Sequence, residues 1–182
     1  MKALYNKEQQ TSGKNYLPWI FSVLLLPLII YLVFNEGKFF IVDYVNLLIH
    51  EGGHGIFSIF GIKYLHALGG TITQLLIPTM FVVFYFLKKK RITTQIFLIW
   101  LGQNFINVSV YVADARAQKL PLLGGNKVYH DWNYLLGEIG LLEYDNIVGQ
   151  VFYFLGIAAF VISLLIPIII RDYKTAKIDL GL

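Results

Sequence analysis

The sequence predicts an all-α fold, a polytopic membrane helical bundle with about five transmembrane helices. The first observation behind this is composition. Of 182 residues, 57% are apolar and 14% charged, against roughly 45–50% and 25% in an ordinary globular domain. That is too little polar surface to cover a water-facing body, and too much apolar surface for a disordered or collagen-like chain. The second observation is where the charges fall. Leu17–Phe34, Leu68–Leu87, Ile92–Ala113 and Asn146–Ile170 carry none. Each is near the 17–25 residues that cross about 30 Å of hydrocarbon as a helix. The third observation is a fifth apolar stretch, Phe39–Ile62, that does carry ionisable groups: Asp43, His50, Glu51 and His54.

In chain order, residues 1–16 form a polar N-terminal segment with Lys2, Lys7 and Lys14. The first span follows without a small-residue cleavage site and is longer than a signal core, so it reads as retained. Pro18 and Pro27 are expected to bend it. Residues 35–38 and 63–67 read as tight connections. The run Lys88-Lys89-Lys90-Arg91 is a joint between two spans, which favours a cytoplasmic loop over a nucleic-acid patch. The stretch 114–145 is long, polar and glycine-containing, and long loops in compact proteins are commonly functional. The tail, 171–182, is polar. The whole chain, 1–182, reads as one membrane-embedded domain with a catalytic core at about 39–132. Trp19 and Trp132 suit interfacial anchoring.

Orientation is nearly balanced under five spans. One side would hold Lys38, the Lys88–Arg91 run, Arg171, Lys174 and Lys177; the other the three N-terminal lysines, Lys63, Arg116, Lys119 and Lys127. The density of the basic run places it in the cytoplasm.

Ionisable side chains within a span cost about 2.5–3.5 kcal/mol each at its centre, so they mark function. His50-Glu51-Gly52-Gly53-His54 matches H-E-x-x-H. On a helix the two His point the same way, one turn apart, and can hold one zinc; the Glu is placed to take a proton from a water the metal activates. Cysteine is absent, so any further ligand comes from His, Asp or Glu. Gly52 and Gly53 fit a close helix contact. Asp43 lies two turns before His50 on the same face, either orienting a ligand or sitting near the water interface.

These residues resemble the site-2 protease family of intramembrane zinc metalloproteases. The resemblance covers about residues 39–115: an H-E-x-x-H on an early hydrophobic helix, then, two segments later, a helix bearing an acidic residue. It implies His50 and His54 as zinc ligands, Glu51 as general base and Asp114 as third ligand. The family's Asp usually precedes Gly in an Asn/Pro-containing motif, whereas here it stands in Val112-Ala113-Asp114-Ala115-Arg116.

The third ligand stays open among Asp114, His130 and Asp131. At 1.5 Å per residue His50 lies about 16 Å into its span and Asp114 about 33 Å into its own, a gap in depth that must be closed if both meet one metal. Gln103, Asn104, Asn107 and Tyr111 share a polar stripe with Asp114, for interhelical bonding or substrate contact. Leu68–Gln74 is expected to start a helix with a glycine turn, the other option being extended backbone that pairs with a peptide; Gln74 would then support substrate or ligands. His66 reads as a loop histidine without a role, and Arg116 as a solvated loop residue.

The expected function is zinc-dependent hydrolysis of peptide bonds in a membrane-spanning protein or peptide, with Zn²⁺ as cofactor, the bilayer as environment and no nucleic-acid partner. Alternatives are a non-catalytic metal-binding scaffold or transporter, and a membrane zinc hydrolase of lipids or amides.

Overall fold

A computed structural model of the chain describes residues 17–35, 38–39, 41–123 and 129–170. The polar N-terminal segment, the tail and residues 124–128 of the long loop lie outside the described residues. Among the described residues there are six α-helices: α1 (Leu17–Phe34), α2 (Ile41–Phe57), α3 (Lys63–Leu87), α4 (Arg91–Ala113), α5 (Asp131–Glu138) and α6 (Asp145–Ile169). Short 3₁₀ turns lie at Ser58–Phe60 and Leu142–Tyr144. There is no strand among the described residues, so the all-helical class is as expected.

Three stretches are long and apolar enough to cross a membrane: Lys63–Leu87, Arg91–Ala113 and Leu142–Ile169. The five-span expectation is met in part. α1 is apolar but only 18 residues long. α2 has 17 residues and carries the ionisable motif. The outward faces suit lipid: Leu24 is 68% exposed, Leu48 72%, Leu87 73% and Phe154 66%, where water would penalise each by about 1.5–3 kcal/mol relative to burial.

α4 is the central helix, and glycines let its neighbours approach it. A Cβ on Gly156 of α6 would lie 2.9 Å from the Gly102 carbonyl oxygen of α4, and one on Gly149 2.9 Å from that of Ser109. Such contact between backbones is how small residues join helices that have no hydrophobic drive to associate in lipid. The same device joins α2 to α3. Gly53 faces the Gly69 carbonyl at a distance that no Cβ could share. Gly52 faces open space, so of the two expected contact glycines only Gly53 serves. The chain reverses between α2 and α3 at Gly61, whose φ of +65° needs no Cβ. α3 then begins at Lys63, so residues 63–67 are its first turn, not a loop.

α2 does not start level with the start of α4. Val42 and Val45 share an apolar recess with Leu32 of α1 and with Ile99, Trp100 and Gln103 of α4. Those α4 residues lie 8–12 positions past Arg91, about 12–18 Å along the axis. That offset closes the depth gap between the histidine pair and the far end of α4.

The expected long loop is largely structured. Trp132, Leu135 and Leu136 of α5 are buried with Ala67 of α3 and with Val108 and Val112 of α4. Trp132 therefore serves the core, stacked edge-on against Phe152 at 5.5 Å, rather than an interface. Arg116 is not simply solvated: its guanidinium pairs with Asp145 at 2.7 Å, tying the loop to the start of α6.

Candidate metal centre

His50 and His54 lie one turn apart on α2, rings edge-to-face with centroids 4.7 Å apart. Asp131, the first residue of α5, reaches both. Its Oδ2 is 3.3 Å from His50 Nε2 and 3.2 Å from His54 Nε2. Among the described residues these three form the one group of His and acidic side chains able to share a metal.

The tautomers sharpen this. His50 Nδ1 lies 3.0 Å from Gln74 Oε1, and His54 Nδ1 2.8 Å from the His66 carbonyl oxygen. Both partners are acceptors, so each Nδ1 carries the proton and each Nε2 presents a lone pair toward the carboxylate. Lone pairs facing one another need a cation between them, or a buried imidazolium at each ring. A divalent ion meets that need with one charge centre. Two ligand atoms about 2.0–2.1 Å from a tetrahedral zinc stand roughly 3.3 Å apart, close to both observed separations. The residues present thus fit zinc, and carbonyl or amide acceptors orient both imidazoles, as second partners of metal-bound histidines commonly do.

Asp131 is set by its local sequence. His130 caps α5, its Nδ1 accepting the Asn133 amide at 3.3 Å, and Asn133 Nδ2 donates to the Ala115 carbonyl at 2.8 Å. The buried Trp132 and Leu135 seat the helix. Tyr111 of α4 completes the support: its hydroxyl donates to Asp131 Oδ2 at 3.0 Å and accepts the Asp131 amide at 3.2 Å. Burial opposes the Asp131 charge; with His50 and His54 as imidazoliums donating to it, the carboxyl is held well below the usual range.

Asp114 and His130, the other expected third ligands, are placed elsewhere. α4 ends at Ala113, and the Asp114 carboxylate accepts the Lys119 and Leu120 amides at 3.0 and 2.9 Å. The helix-face arithmetic that aimed Asp114 at the metal stops applying where the helix stops. His130 points its Nε2 at Asp114 Oδ2, 3.6 Å away, and burial pushes its pKa down.

Glu51, His50, His54 and Asp131 line a cavity of about 440 Å³, together with Asp43 and Asn107. Residues Leu120–Leu123, held by the Asp114 bonds, form part of its wall. Asp43 is buried and accepts from Gln103 Nε2 and from Asn107 Nδ2, the latter at 2.5 Å. Asn46 joins this network through Gln103 and Trp100. Asn107 lines the cavity. Asn104 is fully buried, donating to the Trp100 carbonyl, and does not line the cavity. Gln74 supports His50, and Leu68–Gln74 is helical, which leaves no extended backbone for strand pairing.

Two further residues were not expected from sequence. His66 exchanges two bonds with His54: its carbonyl accepts, and its Nδ1 meets the His54 carbonyl at 3.0 Å. Gly70 lies directly against the pair. A Cβ there would stand 2.6 Å from His50 Nε2 and 2.7 Å from His54 Nε2. Gly70→Ala is therefore expected to weaken zinc binding roughly ten- to hundred-fold, the range for losing a ligand's support; titration of the purified protein with a zinc-buffered indicator measures it. Wild-type affinity in Gly70→Ala would mean the ligand atoms lie elsewhere.

No protein-family model matches the chain, and no curated protein or solved structure gives a significant match.

Proposed function

We propose that this chain is an intramembrane zinc metalloprotease that hydrolyses peptide bonds of membrane-associated substrates. It is a multi-pass membrane protein on this reading, with α3, α4 and α6 each crossing the bilayer and α1 and α2 packed against them as one broken passage. One observation carries the reading: two imidazole nitrogens of an H-E-x-x-H each lie 3.2–3.3 Å from one carboxylate oxygen, all three atoms within 4.8 Å of one another, with Glu51 on the same cavity.

His50, His54 and Asp131 would hold the metal. Bound there, zinc acidifies a water and polarises a carbonyl. Glu51 takes the proton of the attacking water. It then gives that proton to the departing amine nitrogen as the C–N bond breaks, so one water is consumed per bond and Glu51 ends as it began. Tyr111 keeps Asp131 aimed at the histidines. Leu120–Leu123 shield the cavity, and Asn107 offers a polar contact to an unwound substrate. Unwinding is required, because the carbonyls of a helix in lipid are already bonded.

Chelation tests the proposal. Cleavage of a transmembrane peptide by detergent-purified protein should stop with a strong zinc chelator and return on adding zinc. Cleavage that persists through chelation would refute it.

A further inference from the structure

The helix ends sort the basic residues in a way that span counting does not. Gln95, near the start of α4, donates to Ser22 Oγ at 2.8 Å and to the Ser163 carbonyl at 2.9 Å; Ser22 donates to the Leu164 carbonyl. The start of α1, the start of α4 and the end of α6 therefore share one end of the bundle. At the other end, His54 meets His66, Tyr111 meets Asp131 and Arg116 meets Asp145. These contacts gather the end of α2, the start of α3, the end of α4 and the start of α6 around the metal centre.

α1 and α2 thus make a single net passage, broken beside the middle of α4, and not two. The parity of the chain changes with it. Lys2, Lys7 and Lys14 precede α1, the Lys88–Arg91 run joins α3 to α4, and Arg171, Lys174 and Lys177 follow α6. All ten attach to the end opposite the metal. The metal end has Lys63, Arg116 and Lys119, with Lys127 in the segment between Leu123 and Tyr129. Ten against four is a clear bias, with Lys38 in the break between α1 and α2 counted for neither end, and all ten fall within the 15–20 residues of a span that count toward orientation.

We infer that the metal end of the bundle faces the non-cytoplasmic side of the membrane, and that its substrates are the segments of membrane proteins lying at or just within the non-cytoplasmic leaflet. The orientation follows from the helix ends and charges; the substrate class rests also on the protease reading above. The Leu120–Leu123 wall belongs to this side, so a peptide enters from there or from the outer half of the bilayer. The Asp43, Gln103 and Asn107 network lies on the cytoplasmic side of the histidines along α4.

The chain contains no cysteine, so single-cysteine variants report sidedness directly. Ala117→Cys and Lys90→Cys occupy exposed positions at opposite ends. Each full-length variant is made in a bacterial plasma membrane and treated with a membrane-impermeant maleimide. Ala117→Cys should label in intact cells, and Lys90→Cys only after permeabilisation. The reverse pattern, or labelling of both in intact cells, would overturn the orientation. This readout needs no activity, so it stands apart from the protease reading. In a second arm, a single-span reporter with an epitope on its non-cytoplasmic flank is made beside wild type or Glu51→Gln. Release of the epitope to the outside by wild type alone supports the substrate class. No release with the expected labelling would overturn the substrate class and leave the orientation intact.

Discussion

Glu51→Gln is expected to keep its zinc and lose its activity. The substitution preserves shape, and Glu51 is not one of the three grouped ligand residues. It removes only the ability to accept and return a proton, a role that contributes about 10²–10⁴-fold in rate. Cleavage of a transmembrane peptide should fall by that factor while bound zinc stays at the wild-type level. This pairing separates chemistry from folding, since a misfolded variant would lose both. Activity within about tenfold of wild type would remove Glu51 from the proton-transfer role.

Asp131→Ala carries the second large effect. It deletes the oxygen that both Nε2 atoms face, and leaves those atoms with no anionic partner from α5. A structural zinc site of four ligands tolerates little loss, and a catalytic one with three protein ligands less. Zinc in the purified protein should fall far below stoichiometric, and activity with it. Asp114→Asn is the internal comparison. It weakens acceptors for two loop amides, so it should loosen Leu120–Leu123 while zinc is retained. A result in which Asp114→Asn loses zinc and Asp131→Ala keeps it would return the third ligand to the end of α4.

Much of the helical architecture was legible because it is local. Charge-free runs near the length of a bilayer crossing place four of the six helices, and the H-E-x-x-H spacing places two imidazoles on one face whatever else the chain does. The third ligand was not legible in that way. Asp131 reaches the histidines because Trp132, Leu135 and Leu136 bury α5 against α3 and α4, and because Tyr111 holds its carboxylate. Those contacts join residues 20 or more positions apart and leave no period in the sequence. Asp114 satisfied the helical periodicity of α4, yet that helix ends one residue earlier. Gly70 and His66 fall in the same class: a glycine pair within an apolar run signals close packing, but not what packs there. The count of spans is met only in part, for a different reason. α1 and α2 each read as a crossing by length; three stretches are long and apolar enough to cross, and the bonds of Ser22 and His54 are the basis for inferring that α1 and α2 form one broken passage.

The central claim is that His50, His54 and Asp131 bind one metal ion. X-ray absorption at the zinc edge of the purified, detergent-solubilised protein tests it most directly. About one zinc per chain is predicted, with two imidazole nitrogens and oxygen ligands at roughly 2.0–2.2 Å, and with the imidazole scattering reduced in His54→Ala. A wild-type protein, folded and offered zinc, that binds none, or binds it with no imidazole in its shell, would contradict the account.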